Sequence, residues 1–275
     1  MMPPPWARSS DVPCAVARRD PVLPCASARS NRRLLFSGLS LDCLTFRQAE
    51  QAVVDAVGRA APCAIYFVGI NNARMAWADP GYRACLERGS LVFNDGIGVA
   101  LAGRALGLAF ADNLVGTDLL PAVFARLAPR GIRLFLIGGR PSVAERAGAQ
   151  LRAAHQGLEV VGCAPGYFEA GVDRDICSRI ARAKPDILLV GRGSPLQELW
   201  IDRNLGRFGP CVAVGVGGFL DYHAGLIARA PRWVRRSRLE WACILLRQPH
   251  KCRRYLVDNP LFLLRVLVLR TRMAA

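Results

Sequence analysis

Short apolar runs alternate with amphipathic segments through most of the chain. The runs are rich in β-branched and aromatic residues and lie at 65–68, 91–93, 132–137, 158–163, 186–190 and 211–215. Such runs are typical of strands buried on both faces of a parallel sheet. The segments between them carry apolar residues at helical spacing; after the predicted cap Thr45, one face holds Phe46, Ala49, Val53 and Val57. Residues 34–44 are expected to form a short strand or a hairpin. The alternation predicts an α/β fold, a Rossmann-like, open, mostly parallel sheet flanked by helices.

Two successive predicted strands end in glycine-rich turns, GRGSP at 191–195 and GVGG at 215–218. In the first turn, Ser194 is expected to cap the next helix and Pro195 to occupy its first position. Glycines let a backbone approach closely, and helix N-termini supply N–H donors, so the turns suit a phosphate or diphosphate. Ordinary strand-to-helix turns also favour glycine, and the glycines alone leave both interpretations open. Nearby polar residues favour a polar site: Gln197, Glu198, Asp221 and Arg229.

Candidate acids follow other predicted strands. Asp95 lies in the sequence NDG after the 91–93 run. It is expected either to cap the helix over 97–106 or to point into the crevice at the carboxyl edge of the sheet, ionised beside a helix N-terminus. Thr117 or Asp118 is expected to cap the helix that ends near residue 127.

Two other motifs argue against common cofactors. The Gly138-Gly139 turn lacks the G-x-G-x-x-G fingerprint, which disfavours a dinucleotide. Asp173-Arg-Asp175 matches the D-x-D of metal-using glycosyltransferases but stands at a predicted helix start, where acids are favoured anyway. We therefore expect no metal site and no obligatory divalent ion.

The composition of the chain indicates the charge of its partner and the cellular compartment of the protein. The chain has 275 residues, a net charge of +16 and a pI near 10.3, which favour an anionic partner. Its 10 cysteines are scattered without a C-x-x-C pair, as expected for reduced thiols in a cytoplasmic protein. Residues 1–33 are proline- and arginine-rich and lack the apolar segment of a signal peptide, so we expect a disordered leader.

The predicted catalytic domain spans 34–228, and residues 229–275 form a basic appendage. Arginines interleave with aromatic and aliphatic residues, and helices are predicted over 239–246 and 260–270. The apolar run 261–269 is far shorter than the roughly 20 residues that a spanning helix needs. A cationic amphipathic segment is typical of binding to the surface of an anionic membrane. An oligomer interface stays open as an alternative, and a nucleic-acid-binding face is disfavoured because no known motif accompanies the charge.

Linked motifs along residues 39–275 give a specific resemblance. The series comprises FNDGIGVALAGRALG, NLVGTDLLP, LFLIGGRPSVAERA, GYF, GRGSPLQELWI, GVGGFLDYHAG, RAPRWVRRSRLEW and RRYLVDNPLF. It resembles the WecG/TagA/CpsF glycosyltransferase family, and FVG, ADPGYR and NPLF look closest to its xanthan-type polysaccharide glucosyltransferase branch.

The resemblance implies site residues. The aspartate of the family's DG motif is its proposed base, and Asp95 falls on it. Residues expected to bind the donor or substrate are Asn71, Asn72, Asn113, Thr117, Asp118, Gly138, Gly139, Gly193, Gln197, Glu198, Asp221 and Arg229. Residues expected at the membrane or the acceptor diphosphate are Arg232, Arg235, Arg236, Arg253 and Arg254. Many relatives carry Thr-x-Asn where this chain reads GINN and an arginine where Asn113 stands, so a glucose-type donor is at least as plausible as an N-acetylmannosamine type.

The implied function is transfer of a hexosyl group, with inversion, from a UDP-sugar to a polyprenyl-diphosphate-linked sugar. The enzyme would work peripherally on the inner face of the cell membrane, in the synthesis of an exopolysaccharide or another cell-surface polymer; a homo-oligomer stays open. Two other classes compete: a basic, non-enzymatic α/β module that binds nucleic acid or anionic polymer, and a nucleotide-dependent oxidoreductase, which the missing fingerprint disfavours.

Overall fold

The computed structural model describes residues 33–168, 170–227 and 252–274. It confirms the α/β fold with an eight-stranded sheet in the order β1-β2-β4-β3-β8-β7-β5-β6. Among the strands of the described residues, only the β1–β2 hairpin is antiparallel, and the other pairings are parallel. The strands are β1 (Arg33–Phe36), β2 (Leu39–Asp42), β3 (Cys63–Val68), β4 (Leu91–Asn94), β5 (Arg133–Gly138), β6 (Glu159–Ala164), β7 (Ile187–Gly191) and β8 (Val212–Gly215).

Helices follow the strands as the hydrophobic pattern predicts. They are α1 (Phe46–Ala56), α2 (Ile70–Ala78), α3 (Pro80–Glu87), α4 (Ile97–Ala105), α5 (Gly116–Leu127), α6 (Val143–Ala154), α7 (Asp173–Ala183), α8 (Leu196–Asn204), α9 (Phe219–His223) and α10 (Asn259–Ala274). Short 3-10 helices lie at Ala128–Arg130, Ala170–Val172 and Leu205–Arg207, and a π-helical turn, Arg254–Asp258, precedes α10.

Local capping confirms the helix start predicted at Thr45 and marks a second one at Asp79. The Thr45 side chain accepts a hydrogen bond from Gln48 N at 3.3 Å, while the Gln48 side chain accepts one from Thr45 N at 2.9 Å. This reciprocal pair is a capping box, which satisfies two backbone donors at once. Asp79 separates α2 from α3, and its carboxylate accepts hydrogen bonds from Gly81 N at 2.8 Å and Tyr82 N at 3.1 Å.

The sheet is the middle of three layers. Alternate residues of β3 enter two separate cores: Ile65 and Phe67 face α1, α5, α6 and α9, whereas Tyr66 and Val68 face α2, α3, α4, α7 and α8. Both faces are therefore covered, which explains the continuous apolar runs of the parallel strands.

Strand register brings the carboxyl ends to one edge. Val68 pairs with Asn94, Val190 with Gly215, and Gly138 with Gly191. After β5 the chain turns to α6 on one face, and after the neighbouring β7 it turns to α8 on the other. A divergence of this kind opens a crevice at the carboxyl edge, where open α/β sheets hold ligands.

The predicted domain limits are described only in part. Arg33, the last residue of the predicted leader, begins β1 and forms a two-pronged ion pair with the buried Asp42, at 3.0 and 3.1 Å. Residues 1–32 lie outside the described residues. So do 228–251, which include the predicted helix over 239–246.

The last helix, α10, confirms the helix predicted over 260–270. Phe262 and Val266 are buried in the core that contains α2, and the Phe262 ring meets the exposed Trp77 edge-on at 6.3 Å. Leu261 and Leu264 of the same helix are more than half exposed. Thus α10 has one apolar side on the domain and another in solvent. Within the described part of the chain, no helix has both the length and the apolar character needed to cross a membrane.

Candidate active site

Glycines pack the strand-end turns against one another at the crevice. A Cβ on Gly138 would lie 2.8 Å from the Gly191 carbonyl oxygen, and a Cβ on Gly166 would lie 2.9 Å from both Gly138 Cα and Gly139 N. The Gly139 N–H donates to Gly191 O at 3.3 Å, and the Gly166 N–H donates to Gly139 O at 2.9 Å. The turns after β5, β6 and β7 therefore meet backbone to backbone, a contact that side chains would block.

At Gly193, the backbone conformation requires glycine, whereas at Gly138 and Gly166 the close packing requires it. A Cβ there would meet nothing within 4 Å, but its φ of +75° lies in the left-handed region. The backbone turn itself, rather than a close neighbour, demands glycine. Gly193 is exposed at the rim of the crevice, so its backbone is open to a ligand.

Asp95 follows β4 at the same edge of the sheet. Its backbone N–H donates to Val68 O at 2.9 Å, which anchors it beside the end of β3, and the residue is half-buried. Gly96, with φ of +84°, occupies the N-cap position of α4. The helix-cap alternative for Asp95 is therefore wrong, because the cap falls one residue later.

Asn94, which the sequence analysis did not single out, is completely buried beside Asp95. Its side-chain Nδ2 donates to Asp112 O at 2.9 Å, and its backbone carbonyl oxygen accepts from Leu114 N at 3.1 Å. These bonds tie the loop before α5 to the end of β4. The sequence signal for this role is a polar residue at the last position of an apolar strand.

A buried polar network lies behind the turns. Glu198, with 0% exposure, accepts hydrogen bonds through one carboxyl oxygen from Ser194 Oγ at 2.7 Å and Gln197 Nε2 at 2.8 Å. Asn72 Nδ2 donates to Ser194 Oγ and to Tyr82 OH, both at 2.9 Å. Asn72, Gln197 and Glu198, predicted to bind the donor, are thus brought together, but inside the protein.

The same network corrects one helix cap. The cap position of α8 is Pro195, and no side chain caps that helix. Ser194 was predicted to cap it; its hydroxyl oxygen, which a cap would offer to a backbone N–H, instead accepts from Asn72 Nδ2, and the hydroxyl donates to the Glu198 carboxyl.

Burial sets the protonation of this network. It raises the pKa of Glu198 above the ordinary value, and hydrogen bonds from Ser194 and Gln197 only partly oppose the effect. Burial first, and then the nearby Glu198 charge, hold the pKa of Tyr82 well above its ordinary range. In both groups, burial therefore shifts the equilibrium toward the protonated, neutral form.

The other predicted binding residues lie on separate elements. Asn71, in the first turn of α2, accepts a hydrogen bond from Arg74 at 3.2 Å. Thr117 is half-buried and Asp118 exposed, both inside the first turn of α5. The cap position there is Val115, so the prediction that either residue caps α5 is wrong. Asn113 is exposed in the loop before α5, and Asp221 is half-buried in α9.

Arg192, in the turn after β7, is a second residue that the sequence analysis did not single out. Its Nε donates to Gly166 O at 2.7 Å, and its guanidinium lies 4.0 Å from the centre of the Phe168 ring. Burial lowers the pKa of this guanidinium from its ordinary value. The sequence signal is a cation between the two glycines of the GRG turn.

Asp173 of the D-x-D sequence accepts a hydrogen bond from Trp200 Nε1 at 2.9 Å and begins α7, as predicted. Its carboxylate thus joins α7 to α8. Across the residues that the structure describes, no group of three or more His, Cys, Asp or Glu side chains is placed to hold a metal ion.

Of the arginines predicted at the donor, the membrane or the acceptor diphosphate, only some lie among the described residues. Arg229, Arg232, Arg235 and Arg236 lie outside the described residues. Arg253 is exposed and lies 3.9 Å from Asp258, and Arg254 begins the π-helical turn before α10.

Comparison with known proteins adds the family. The sequence profile described as the Glycosyl transferase WecG/TagA/CpsF family matches residues 34–275. Two relatives carry the name N-acetylglucosaminyldiphosphoundecaprenol N-acetyl-beta-D-mannosaminyltransferase. The protein of Bacillus spizizenii (strain ATCC 23059 / NRRL B-14472 / W23) is 31% identical over 181 residues, 66% of this chain and 70% of the relative. That of Bacillus subtilis (strain 168) is 30% identical over 189 residues, 67% of this chain and 73% of the relative.

The match covers the eight-stranded sheet, its carboxyl-edge crevice and α10, with Arg33 alone of the strand residues outside it. A non-enzymatic basic module or a nucleotide-dependent oxidoreductase does not account for this match. The chain belongs to the WecG/TagA/CpsF family of glycosyltransferases.

Proposed function

We propose that this enzyme transfers a hexosyl group from a UDP-sugar to a polyprenyl-diphosphate-linked sugar during synthesis of a bacterial exopolysaccharide or another cell-surface polymer. The observation that carries the proposal is the carboxyl edge of the sheet, where the glycine turns after β5, β6 and β7 pack together and where Asp95 follows β4, in a chain of this family. The named relatives act on N-acetylglucosaminyldiphosphoundecaprenol, an acceptor of the proposed class.

The donor diphosphate is proposed to lie on the turns after β5 and β7. Gly193 is exposed with a left-handed backbone, and Gly138 and Gly139 bring the neighbouring turn within backbone contact of Gly191. Backbone N–H groups at such turns donate to phosphate oxygens without a side chain in the way. They would stabilise the charge that grows on the departing UDP.

Asp95 is the proposed general base. Its carboxylate takes the proton from the acceptor hydroxyl as that oxygen attacks the anomeric carbon. The bond from that carbon to the diphosphate oxygen breaks, and UDP leaves from the opposite side, so the configuration inverts. The half-buried position of Asp95 beside β3 suits a base that must reach a bound substrate.

The basic C-terminal segment is proposed to hold the enzyme on the inner face of the cell membrane. Exposed Leu261, Leu264 and Val268 on α10, together with Trp77, supply apolar side chains. The arginines predicted for this role supply attraction to anionic lipid and to the acceptor diphosphate. We propose no obligatory metal, and a glucose-type donor at least as readily as an N-acetylmannosamine type.

A donor screen with a synthetic polyprenyl-diphosphate sugar tests this function, with UDP release as the readout. Asp95→Asn is expected to lower the rate by at least about 100-fold, the scale of losing a general base. Asp55→Asn, at an exposed acid on α1, is the matched control and should retain the wild-type rate. Equal turnover by the Asp95 and Asp55 variants would remove Asp95 from the mechanism; no UDP release with any donor would refute the proposed function.

A further inference from the structure

Glu198 is an unusual carboxylic acid for its position. It lies in the first turn of α8 and has no exposed surface, and its hydrogen-bond partners are the neutral side chains of Ser194 and Gln197. The second carboxyl oxygen, Oε2, is buried and makes no hydrogen bond within the described part of the chain. An ionised carboxylate with one oxygen unpaired in the interior would be far less stable than a neutral acid.

The partners of Glu198 reach three different strand-end turns. Ser194 lies in the turn after β7, and its hydroxyl accepts a hydrogen bond from Asn72 at the start of α2, just after β3. Asn72 also closes its own turn, because its side-chain oxygen accepts from Gly69 N at 3.2 Å. A chain of two hydrogen bonds thus links Glu198 to the turn after β3.

Gln197 carries the link to the turn after β8. Its amide nitrogen donates to Glu198, and its carbonyl oxygen accepts from Gly217 N at 2.9 Å. The Glu198 bond therefore determines which end of the Gln197 amide faces the turn. A Cβ on Gly215 would lie 3.1 Å from Gln197 Nε2, so the amide also packs closely on the end of β8.

We propose that Glu198 is a positioning residue, which in its neutral acid form holds the turns after β3, β7 and β8 at the spacing that a sugar-nucleotide diphosphate requires. The inference rests on the proposed function, because that function assigns the turn after β7, which lies next to β8 in the sheet, to the donor diphosphate. It replaces the predicted direct donor contact of Glu198, which is completely buried behind the turns. A neutral acid there also avoids repelling the diphosphate, which an ionised carboxylate would do.

Three variants test the proposal by the Michaelis constant for the donor and the rate at saturation. Glu198→Gln keeps the shape of the neutral acid and is expected to keep the donor KM within about threefold of wild type. Glu198→Ala leaves Ser194 and Gln197 without their acceptor and should raise the donor KM by at least about 10-fold, the scale of one lost buried hydrogen bond. Ser194→Ala removes the hydroxyl that donates to Glu198 and accepts from Asn72, but it leaves the bond between Gln197 and Glu198, so it should raise the donor KM by a smaller factor.

Glu145→Gln is the matched control, since Glu145 is an exposed acid in the first turn of α6, after the neighbouring β5. It should leave the donor KM unchanged. A loss of activity in Glu198→Gln equal to that in Glu198→Ala would mean that an ionised carboxylate is needed and would overturn the proposal. An unchanged donor KM in folded Glu198→Ala and Ser194→Ala would show a purely structural role. If Glu198→Ala does not fold, the donor KM values of Glu198→Gln and Ser194→Ala still test the proposal.

Failure of the proposed function looks different from failure of this inference. Without the proposed function, wild-type enzyme releases no UDP from any donor. If only the inference fails, wild-type turnover and its dependence on Asp95 persist, while the Glu198 and Ser194 variants depart from the expected KM pattern.

Discussion

Gly138→Ala tests the crevice most directly, because a single methyl group probes the contact between two turns. The added Cβ would lie 2.6 Å from Leu220 Cδ1, 2.8 Å from Gly191 O and 3.0 Å from Gly191 Cα. The leucine side chain can rotate away, but the backbone of Gly191 is held by its pairing with β5. The β7 turn must therefore shift by a few tenths of an ångström.

The energetic effect has two opposing parts. Overpacking a tight interior contact costs about 1–3 kcal/mol. Replacing glycine by alanine restricts the unfolded chain and returns about 0.4–1 kcal/mol. We expect a net loss of about 1–2 kcal/mol in the free energy of unfolding. Displacement of the Gly193 turn should also raise the donor KM by about 10-fold, since misplacing a reacting group by 1 Å costs on the order of 100-fold.

The assay pairs urea unfolding with donor kinetics, and Gly171→Ala is the control. A Cβ on Gly171 would meet nothing within 4 Å, and its φ is not in the left-handed region, so this variant should be neutral or slightly stabilised. If Gly138→Ala matched the control in both stability and donor KM, close packing of the turns would not be what the donor site depends on.

Two further predictions concern protonation and the last helix. Burial raises the pKa of Glu198 above its ordinary 4.5, so the stability that Glu198 contributes is fully present below about pH 4.5 and is lost as the pH rises through the folded-state pKa. Glu198→Gln has no ionisable group at this position and lacks this loss. In urea unfolding from about pH 4 to 8, the free energy of unfolding of Glu198→Gln should therefore rise relative to that of the wild type. If it fell relative to the wild type instead, Glu198 would be ionised in the folded protein. Phe262→Ala removes a buried ring from the contact of α10 with α2 and should weaken that contact by about 3 kcal/mol, seen as faster hydrogen exchange throughout α10. Leu264→Ala, at an exposed position on α10, is the control, and equal exchange rates in the two variants would place the helix contact elsewhere.

The sequence alone determined the local elements, because their causes are local. Thr45 and Gln48 form their capping box from neighbouring residues, and Asp79 caps α3 through the next two backbone donors. Apolar runs marked the strands because a parallel sheet covered on both faces needs them. The order of motifs also identified the family correctly. The sequence further placed Asp95 at the end of a strand, but it could not decide between a helix cap and a residue of the crevice.

Tertiary structure decided which polar residues meet, because their partners are far apart in the sequence. Serine is a common helix-cap residue, and Ser194 stands where a cap is expected. Its hydroxyl nevertheless binds the side chains of Asn72 and Glu198 and does not cap the backbone. Gly138 requires glycine only because β5 pairs with β7, a neighbour that the sequence order does not reveal. The burial of Glu198, and with it the raised pKa of its carboxyl, likewise follows from the packing of α8 against the sheet. Local chemistry determines an element; the free energy of a buried polar group depends on the whole fold around it.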